Sequence, residues 1–561
     1  MEIKHLKVNN FRGIKELDWY LPGKYICLIG PGDSTKTTIL DAIEYALYPS
    51  YTISFDDTDF FECNIDQPIE IYVSIANYPE EFQEDSKFGM YQRGIENSKI
   101  VDETEGEHLI LTIKLTISKD LDPEWTIYVD RDLDKKEISH RMREKLGMMR
   151  IGTQVDRHFT WGRGSILNKW SENIDQAKLM IADAVRKAKD SFDDQKIQDL
   201  PEILSRISKA SGKFGVKPKG SFKAHLDTKS ISFGYGAISL NDDKIPVRQL
   251  GSGSKKLLAS SLQVESTKEG AILLVDEIET GLEPHRLRNL IRVLKKELEY
   301  KGQIICTTHS SVSIVEFDAL NLVIVRNKNG IICCCPIPTE VQNVIRKVPE
   351  AFLARKVLVC EGATEFGFLL AFEDYLVSQN YDNFGYKGIA VVDGKGDTFK
   401  QVCQGLNTLG YSTAAIIDSD KLTQSEINDL ELAGIKVIHW ADHASIEERV
   451  FLDIPEDKIS HIVEHAYRLK FKDGEENAKK SIVDSINSKL VSTFSSIDEI
   501  SSYQDKTQLR KVLGEIAKRK DWFKRSDKGK KLGKIVCDSF HEMQDKNIYL
   551  KMEQLKLWLY E

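Results

Sequence analysis

Two regions of this sequence carry residue types and spacings suited to phosphate chemistry. The first opens with Gly30-Pro31-Gly32-Asp33-Ser34-Thr35-Lys36-Thr37, set between the apolar run Tyr25-Ile26-Cys27-Leu28-Ile29 and a helical pattern that starts at Thr38. It fits a phosphate-binding loop at the first glycine, the lysine and the hydroxyl. Backbone N–H groups from Gly30 through Gly32, Ser34 and Thr35, and at the helix start by Thr38, are expected to cradle the phosphates of ATP. Lys36 would meet the β- and γ-phosphates, and Thr37 would ligate magnesium. Thr35 stands where a second glycine is usual, which predicts a tighter loop or slower hydrolysis. A Gly-rich turn arises by chance often enough that such a loop needs company. Asp276-Glu277 supplies it by closing the apolar run Ala271-Ile272-Leu273-Leu274-Val275. There the first carboxylate supports magnesium and the second polarises the attacking water. His309 closes the next apolar run, where a γ-phosphate sensor would stand.

The second region is acidic. Cys360-Glu361-Gly362-Ala363-Thr364-Glu365 follows an apolar run and opens a helical pattern, which sets Glu361 at a strand's C-terminal end and Glu365 about one turn later. That edge is where α/β folds hold ligands. Ala414-Ala415-Ile416-Ile417 then leads into Asp418-Ser419-Asp420, whose alternate carboxylates are expected to project from one edge. Hard oxygen ligands at these spacings suit Mg²⁺ or Mn²⁺. Such cations bind a scissile phosphate, lower the pKa of an attacking water and stabilise the leaving oxygen. Each carboxylate alone reads equally well as a helix cap or a surface acid. Asp393, in Val391-Val392-Asp393-Gly394-Lys395-Gly396, reads better as a turn-forming acid than as a metal contact.

The elements that must position these groups follow from periodicity. Residues 1 to about 50 predict strand, loop and helix, and runs such as Ile69-Glu70-Ile71-Tyr72-Val73 and Leu109-Ile110-Leu111-Thr112-Ile113 predict an antiparallel meander. The runs before Asp276 and His309 suit a parallel sheet buried on both faces. Helical spacing at Ile174, Ala177, Met180, Ile181, Ala184 and Val185 predicts an inserted helical arm. A fresh α/β unit starts near residue 350, and the chain is helical and basic from about 456.

With 561 residues, 41% hydrophobic and 29% charged, the chain has the make-up of a globular protein of several domains. No apolar stretch is long enough for a bilayer and the N-terminus lacks a signal-peptide pattern, so a cytoplasmic protein without membrane contact is expected. The nine cysteines make no zinc or disulfide spacing and read as reduced thiols. In Cys333-Cys334-Cys335, strand alternation puts Cys333 and Cys335 on one face, as small buried side chains. A net charge of −9 argues against indiscriminate coating of nucleic acid. It does not exclude DNA, because Lys518-Arg519-Lys520, Lys524-Arg525, Lys528, Lys530-Lys531 and Lys534 gather basic charge late in the chain.

Leu250-Gly251-Ser252-Gly253-Ser254-Lys255-Lys256, just before Asp276, resembles the ABC signature loop, and Asn10-Phe11-Arg12-Gly13-Ile14 resembles the opening of RecF-like and SMC-like heads. Glu-Gly with a later Asp-x-Asp resembles the Toprim domain. Both in one chain resemble the overcoming-lysogenization-defect (OLD) family, which includes the Gabija and retron-associated nucleases. The resemblance implies an ABC-type ATPase head at 1–165 and 216–348, a helical insertion at 166–215 serving dimerisation, a Toprim nuclease domain at 349–455 and a helical, basic region at 456–561. It also implies that Ser252 and Gly253 cap the nucleotide of a second copy, giving a homodimer or an assembly of dimers. Glu447 takes the place of a further site acid and Lys530 or Lys531 that of a late lysine near the metals. The implied activity is nucleotide-controlled cutting or nicking of DNA in bacterial anti-phage defence. A helicase, or a reverse transcriptase with its noncoding RNA, is an implied neighbour. The competing reading is a non-cutting ABC ATPase that binds DNA or a partner protein; a primase or topoisomerase is a third, without its tyrosine or zinc motif.

Overall fold

The computed structural model describes residues 1–49, 53–84, 87–96, 99–101, 108–131, 133–152, 155–160, 165–167, 200–213, 221–222, 239–266, 271–298, 302–420, 422–470, 475–490, 494–500 and 502–561, with isolated positions between 180 and 187. Most of the expected helical arm falls outside them; helix Leu200–Lys213 is its described segment.

The fold is mixed α/β. Fourteen of the described strands of the N-terminal half form one sheet, and Asn241–Asp242 and Ile245–Pro246 pair in a separate small hairpin. Met148–Ile151, Ala271–Val275, Gly302–Thr307, Tyr25–Ile29 and Leu322–Lys328 run parallel side by side. The sheet passes through Ile331–Pro336 and Ile14–Tyr20 into an antiparallel region, Glu2–Phe11, Ile69–Ala76 and His108–Ile117, as the alternating runs require. Alternation of side chains along the parallel strands creates a separate core on each face. Ile26, Leu28, Ile272, Leu274 and Ile305 share one core with the antiparallel strands and with Ile39, Leu40, Ala42, Ile43 and Ala46 of helix Lys36–Ala46. The helix behind the phosphate-binding loop is therefore held inside a core. Gln303, 1% exposed, fastens the parallel and antiparallel regions by accepting from the Ile3 backbone N–H and donating to the Ile3 and Gly23 carbonyls.

A second sheet is wholly parallel, in the order Ile389–Asp393, Lys356–Cys360, Ser412–Ile417, Lys436–His439. Val357, Val359, Ala415, Ile417 and Val437 of this sheet share a core with Cys27, Ile29, Leu273 and Val275 of the first. Leu358, Cys360, Ala414, Ile416 and Ile438 face a separate core built with the C-terminal helices. The two sheets are thus joined by continuous apolar packing, with helices Gln342–Lys347 and Phe399–Thr408 between them, where Gly405 admits Val344. Helix Ala363–Ser378 lies on the C-terminal side and packs most extensively against helix Ser526–Asp538. This close approach depends on glycine: a Cβ on Gly367 would fall 2.1 Å from the Ser526 carbonyl, and one on Gly529 2.4 Å from that of Thr364.

The cysteine expectation needs correction. Cys333 is exposed and Cys334 and Cys335 are half-buried, because strand Ile331–Pro336 pairs with Ile14–Tyr20 only at Ile331. Among the described residues no helix is long and apolar enough to cross a membrane.

Candidate functional site

The phosphate-binding loop turns between strand Tyr25–Ile29 and helix Lys36–Ala46. Thr35, where a second glycine is usual, takes a left-handed backbone, φ 68°, and its methyl lies 2.8 Å from where a Cβ on Gly13 would stand. Lys36 is 4% exposed and folded onto its own loop, donating to the Gly30 and Pro31 carbonyls at 3.1 and 2.8 Å and to Ser34 Oγ at 3.0 Å. Burial lowers its pKa to about 8 against the opposing pull of Asp33, Glu279 and Asp276. Gly32 is open, and Thr37 and Thr38 occupy the first helical turn.

Asp276 stands directly across from that turn. Its Oδ1 accepts from Thr37 Oγ1 at 3.1 Å and Thr307 Oγ1 at 2.8 Å, and its Oδ2 accepts from Arg150 at 3.0 Å. Arg150 also holds Asp41 and Glu44, and Arg12 joins Asp41 to Asp59, so the carboxylate ends a partly buried ionic chain rooted behind the loop. Glu277 has φ 44°; its side chain accepts from Thr280 and its carbonyl from Lys256. Glu279, which belongs to none of the sequence motifs, accepts from the Thr308 hydroxyl and from the His309 N–H, both at 2.6 Å. Burial and the Lys36 charge lower the His309 pKa. Lys256 is drawn to about 8 by burial, opposed by Glu279, Glu277 and Asp276. Ser252 and Gly253 sit against Gly281, whose carbonyl leaves no room for a Cβ at Gly253. Two lysines, one histidine and three carboxylates thus surround the loop, a donor set that fits a nucleotide triphosphate with a divalent cation.

In the second sheet, Glu361 follows strand Lys356–Cys360, and its Oε2 accepts from the Asp418 N–H at 3.1 Å. Glu365, in the first turn of helix Ala363–Ser378, caps that turn through the Gly362 N–H. Asp418 turns inward, 7% exposed, with Oδ1 accepting from Trp440 Nε1 at 3.0 Å and the Ile446 N–H at 2.8 Å. Glu447, 8% exposed, accepts from Thr364. Burial and then the charge of Glu447 push Glu365 up to about 8. Burial, then Glu365, Glu447, Glu361 and Asp420, raise Asp418, and burial raises Glu447. Asp420 diverges from Asp418, reaching the surface to accept from Lys518 at 2.8 Å, and Lys518 also pairs with Glu448 at 3.1 Å. Lys530 pairs instead with Asp374 on the far stretch of its neighbouring helix, and Lys531 is exposed beside His465. Asp393 accepts from its own turn at Lys395.

Among the described residues, no three of these side chains already form a compact ligand set. Their oxygens are engaged by N–H, hydroxyl and indole donors, and burial with mutual repulsion favours the protonated forms of Glu365 and Asp418. Hard carboxylate oxygens gathered at one sheet edge fit a divalent cation, which would replace those protons. With its pKa raised to about 8, Glu365 of the folded chain stays protonated well above the 4.5 of an ordinary glutamate. The native state therefore binds more protons across that window, and its stability falls as pH rises through it. Below pH 4.5 the effect vanishes. Thermal melts with EDTA are expected to show lower stability at pH 8 than at pH 6, and added Mg²⁺ to recover more at pH 8. Equal recovery at both pH values would remove metal exchange as the explanation.

Residues 26–316 match the family described as "AAA domain, putative AbiEii toxin, Type IV TA system". Residues 352–420 match "Overcoming lysogenization defect protein-like, TOPRIM domain". The Old nuclease of Escherichia phage P2 is 24% identical over 262 residues, covering 41% of this chain and 44% of the relative. Endonuclease MutS2 of Carboxydothermus hydrogenoformans is 31% identical over 89 residues, 16% of this chain and 12% of the relative. The chain thus spans less than half the length of either curated relative. Among solved structures, the SMC head domain from Thermotoga maritima is similar at 13% identity and TM-score 0.29, over 60% of this chain and all of that one.

Proposed function

We propose that this chain, which belongs to the OLD family through an AAA ATPase domain followed by an OLD-like Toprim domain, is an ATP-binding, Mg²⁺- or Mn²⁺-dependent DNA endonuclease or nickase. The observation that carries this reading is the meeting of Glu361, Glu365, Asp418 and Glu447 at one edge of the second sheet, with burial and mutual repulsion raising Glu365 and Asp418. Buried carboxylates held against one another are unfavourable unless a cation or protons offset them. A bound cation would supply activated water and stabilise charge on the phosphate. Trp440 and the Ile446 N–H hold Asp418 in place for this, and Glu361 is steadied by the Asp418 N–H. In the first sheet, Lys36, now bonded to its own loop carbonyls, would hold phosphate oxygens of a bound nucleotide, and Thr37 with Asp276, bonded to each other, would hold its magnesium, which would supply charge neutralisation. Glu277 and His309 serve hydrolysis. Ser252 and Gly253 cap the nucleotide of a second copy in a homodimer or an assembly of dimers.

Lys518 is the cation that balances transition-state charge here, since it is bonded to Asp420 and Glu448. Replacing Lys518 with Met is expected to slow cleavage by roughly a hundredfold, about 2.7 kcal/mol, with Lys530→Met near wild type. The reverse order would return the role to the Lys530 pair.

We assign the protein to bacterial anti-phage defence in the cytoplasm, with a helicase or a reverse transcriptase and its noncoding RNA as partner. The test is incubation of supercoiled and linear DNA in Mg²⁺ or Mn²⁺, with and without ATP, beside a Glu361→Ala, Asp418→Ala double variant. Cleavage by the wild type alone supports the reading. Equal cleavage by both would overturn it. The engagement of every site carboxylate by protein donors favours one other reading, an ATPase scaffold that does not cut. Absence of cleavage under all conditions, with candidate partners added, would select it.

A further inference from the structure

We propose that Cys333 and Cys335 form a dithiol site that undergoes thiol–disulfide exchange with small-molecule disulfides, at the seam between the two sheets. Their Sγ atoms stand 3.0 Å apart on one face of strand Ile331–Pro336. The alternation that brings them together sends Cys334 to the opposite face, where it packs against the core around helix Lys36–Ala46, while Cys335 packs against the core shared by the two sheets. Cys333 is exposed, and from that residue onward the strand is paired, among the described strands, by Leu322–Lys328 alone. A small reagent has access, and one side of the ladder is free to adjust.

The surroundings suit a pair acting in sequence. Burial, and then the neighbouring Cys333 thiol, push Cys335 up to about 11, so the exposed Cys333 is the first nucleophile and Cys335 the resolving thiol. Cys333, as thiolate, attacks one sulfur of the disulfide; a Cys333 mixed disulfide forms and one small thiol leaves. Cys335 then releases its proton and attacks Cys333 Sγ, expelling the second small thiol. In balance, two protein thiols lose two electrons and two protons to the small disulfide, which becomes two thiols. Residues i and i+2 of a strand lie about 6.4–6.8 Å apart, at the upper limit for a disulfide, so closure draws the strand locally together and is readily reversed.

The location gives closure a direct neighbour. Cys333 lies opposite Arg326 in the ladder. Arg326 donates to the Leu409 carbonyl at 2.5 Å and covers the Tyr411 ring at 5.0 Å, tying the first sheet to the chain entering strand Ser412–Ile417. The thiol pair therefore borders a polar contact that joins the two halves.

The test treats the full-length, reduced protein with oxidised glutathione, quenches with an alkylating agent and measures the tryptic peptide from Asn329 to Arg346 by mass. The expected peptide has lost about two mass units and carries one alkyl group, in wild type, and in Cys334→Ala the same loss with no alkyl group. Cys333→Ser and Cys335→Ser should each abolish this product in the Cys334→Ala background. The same treatment in urea should lose the selectivity for this pair, which makes the folded geometry the cause. Three alkylated thiols after oxidation, or a persistent glutathione adduct on Cys333, would overturn the proposal.

Discussion

Asp418→Asn is expected to abolish metal-dependent DNA cleavage, by on the order of a thousandfold or about 4 kcal/mol, while leaving the chain folded. The expectation rests on what Asp418 touches. Its Oδ1 receives the Trp440 indole and the Ile446 N–H, and an asparagine oxygen can keep both contacts. What is lost is the charge. That charge is also a burden to the metal-free protein, because it is held at 7% exposure among Glu365, Glu447 and Glu361. The variant should therefore melt higher than wild type in EDTA at pH 8 and gain less from Mg²⁺. Nicking of supercoiled DNA and paired melts read the two effects separately. A variant that cleaves at the wild-type rate would take the carboxylate out of the chemistry. One that merely unfolds would show that the neighbouring donors require an anion, and Glu361→Gln would then carry the test.

Lys36→Ala should lower ATP affinity by roughly a hundredfold, about 2.7 kcal/mol, and eliminate turnover. Lys36 reaches two carbonyls and one hydroxyl of its own loop, so removing it leaves these acceptors without that donor. A stability cost of about 1–3 kcal/mol follows for groups left unsatisfied. Nucleotide titrations separate this from the binding loss, and Lys36→Met, which keeps most of the aliphatic stem, limits the packing change. The same variant tests control: cleavage and assembly both unchanged by Lys36→Ala would disconnect the nucleotide site from the carboxylate site. Such a connection would have a physical route in the core that Cys27, Leu273 and Val275 share with Val357, Val359 and Ala415.

Much of the geometry of the phosphate-binding loop was legible because its components are local. A glycine at φ 138°, a lysine and a hydroxyl at fixed spacing before a helix impose one geometry whatever surrounds them. The apolar runs ending at Val275 and Thr307 announced buried parallel strands, and such strands present the next residue at a common edge. Glu279 was less visible. It lies two residues past Glu277 in a turn where Glu277 is left-handed, and only that turn swings it onto Thr308 and His309. Arg150 offered no sequence signal at all, being one basic residue in a short edge strand.

The carboxylate region divides the same way. Glu361, Glu365 and Asp418 were readable from strand ends and a helix start, and Glu447 only through the family resemblance. Which lysine reaches the carboxylates was not readable, since Lys518, Lys524, Lys528, Lys530 and Lys531 form one basic run with no difference in local pattern. Packing separates them: helix Lys506–Arg519 lies against helix Ile446–Asp453 and delivers Lys518 to Asp420 and Glu448, whereas helix Ser526–Asp538 aligns Lys530 with Asp374. The sequence by itself determined the loops, strand ends and helix starts that carry the reactive groups, because backbone geometry within a few residues depends on near neighbours. The tertiary structure decided which distant charges meet, how far the carboxylates are driven from their ordinary pKa values, and that Cys333 is exposed rather than buried. Those outcomes depend on desolvation and on contacts between segments far apart in the chain, such as Asp420 and Lys518, which no local pattern encodes.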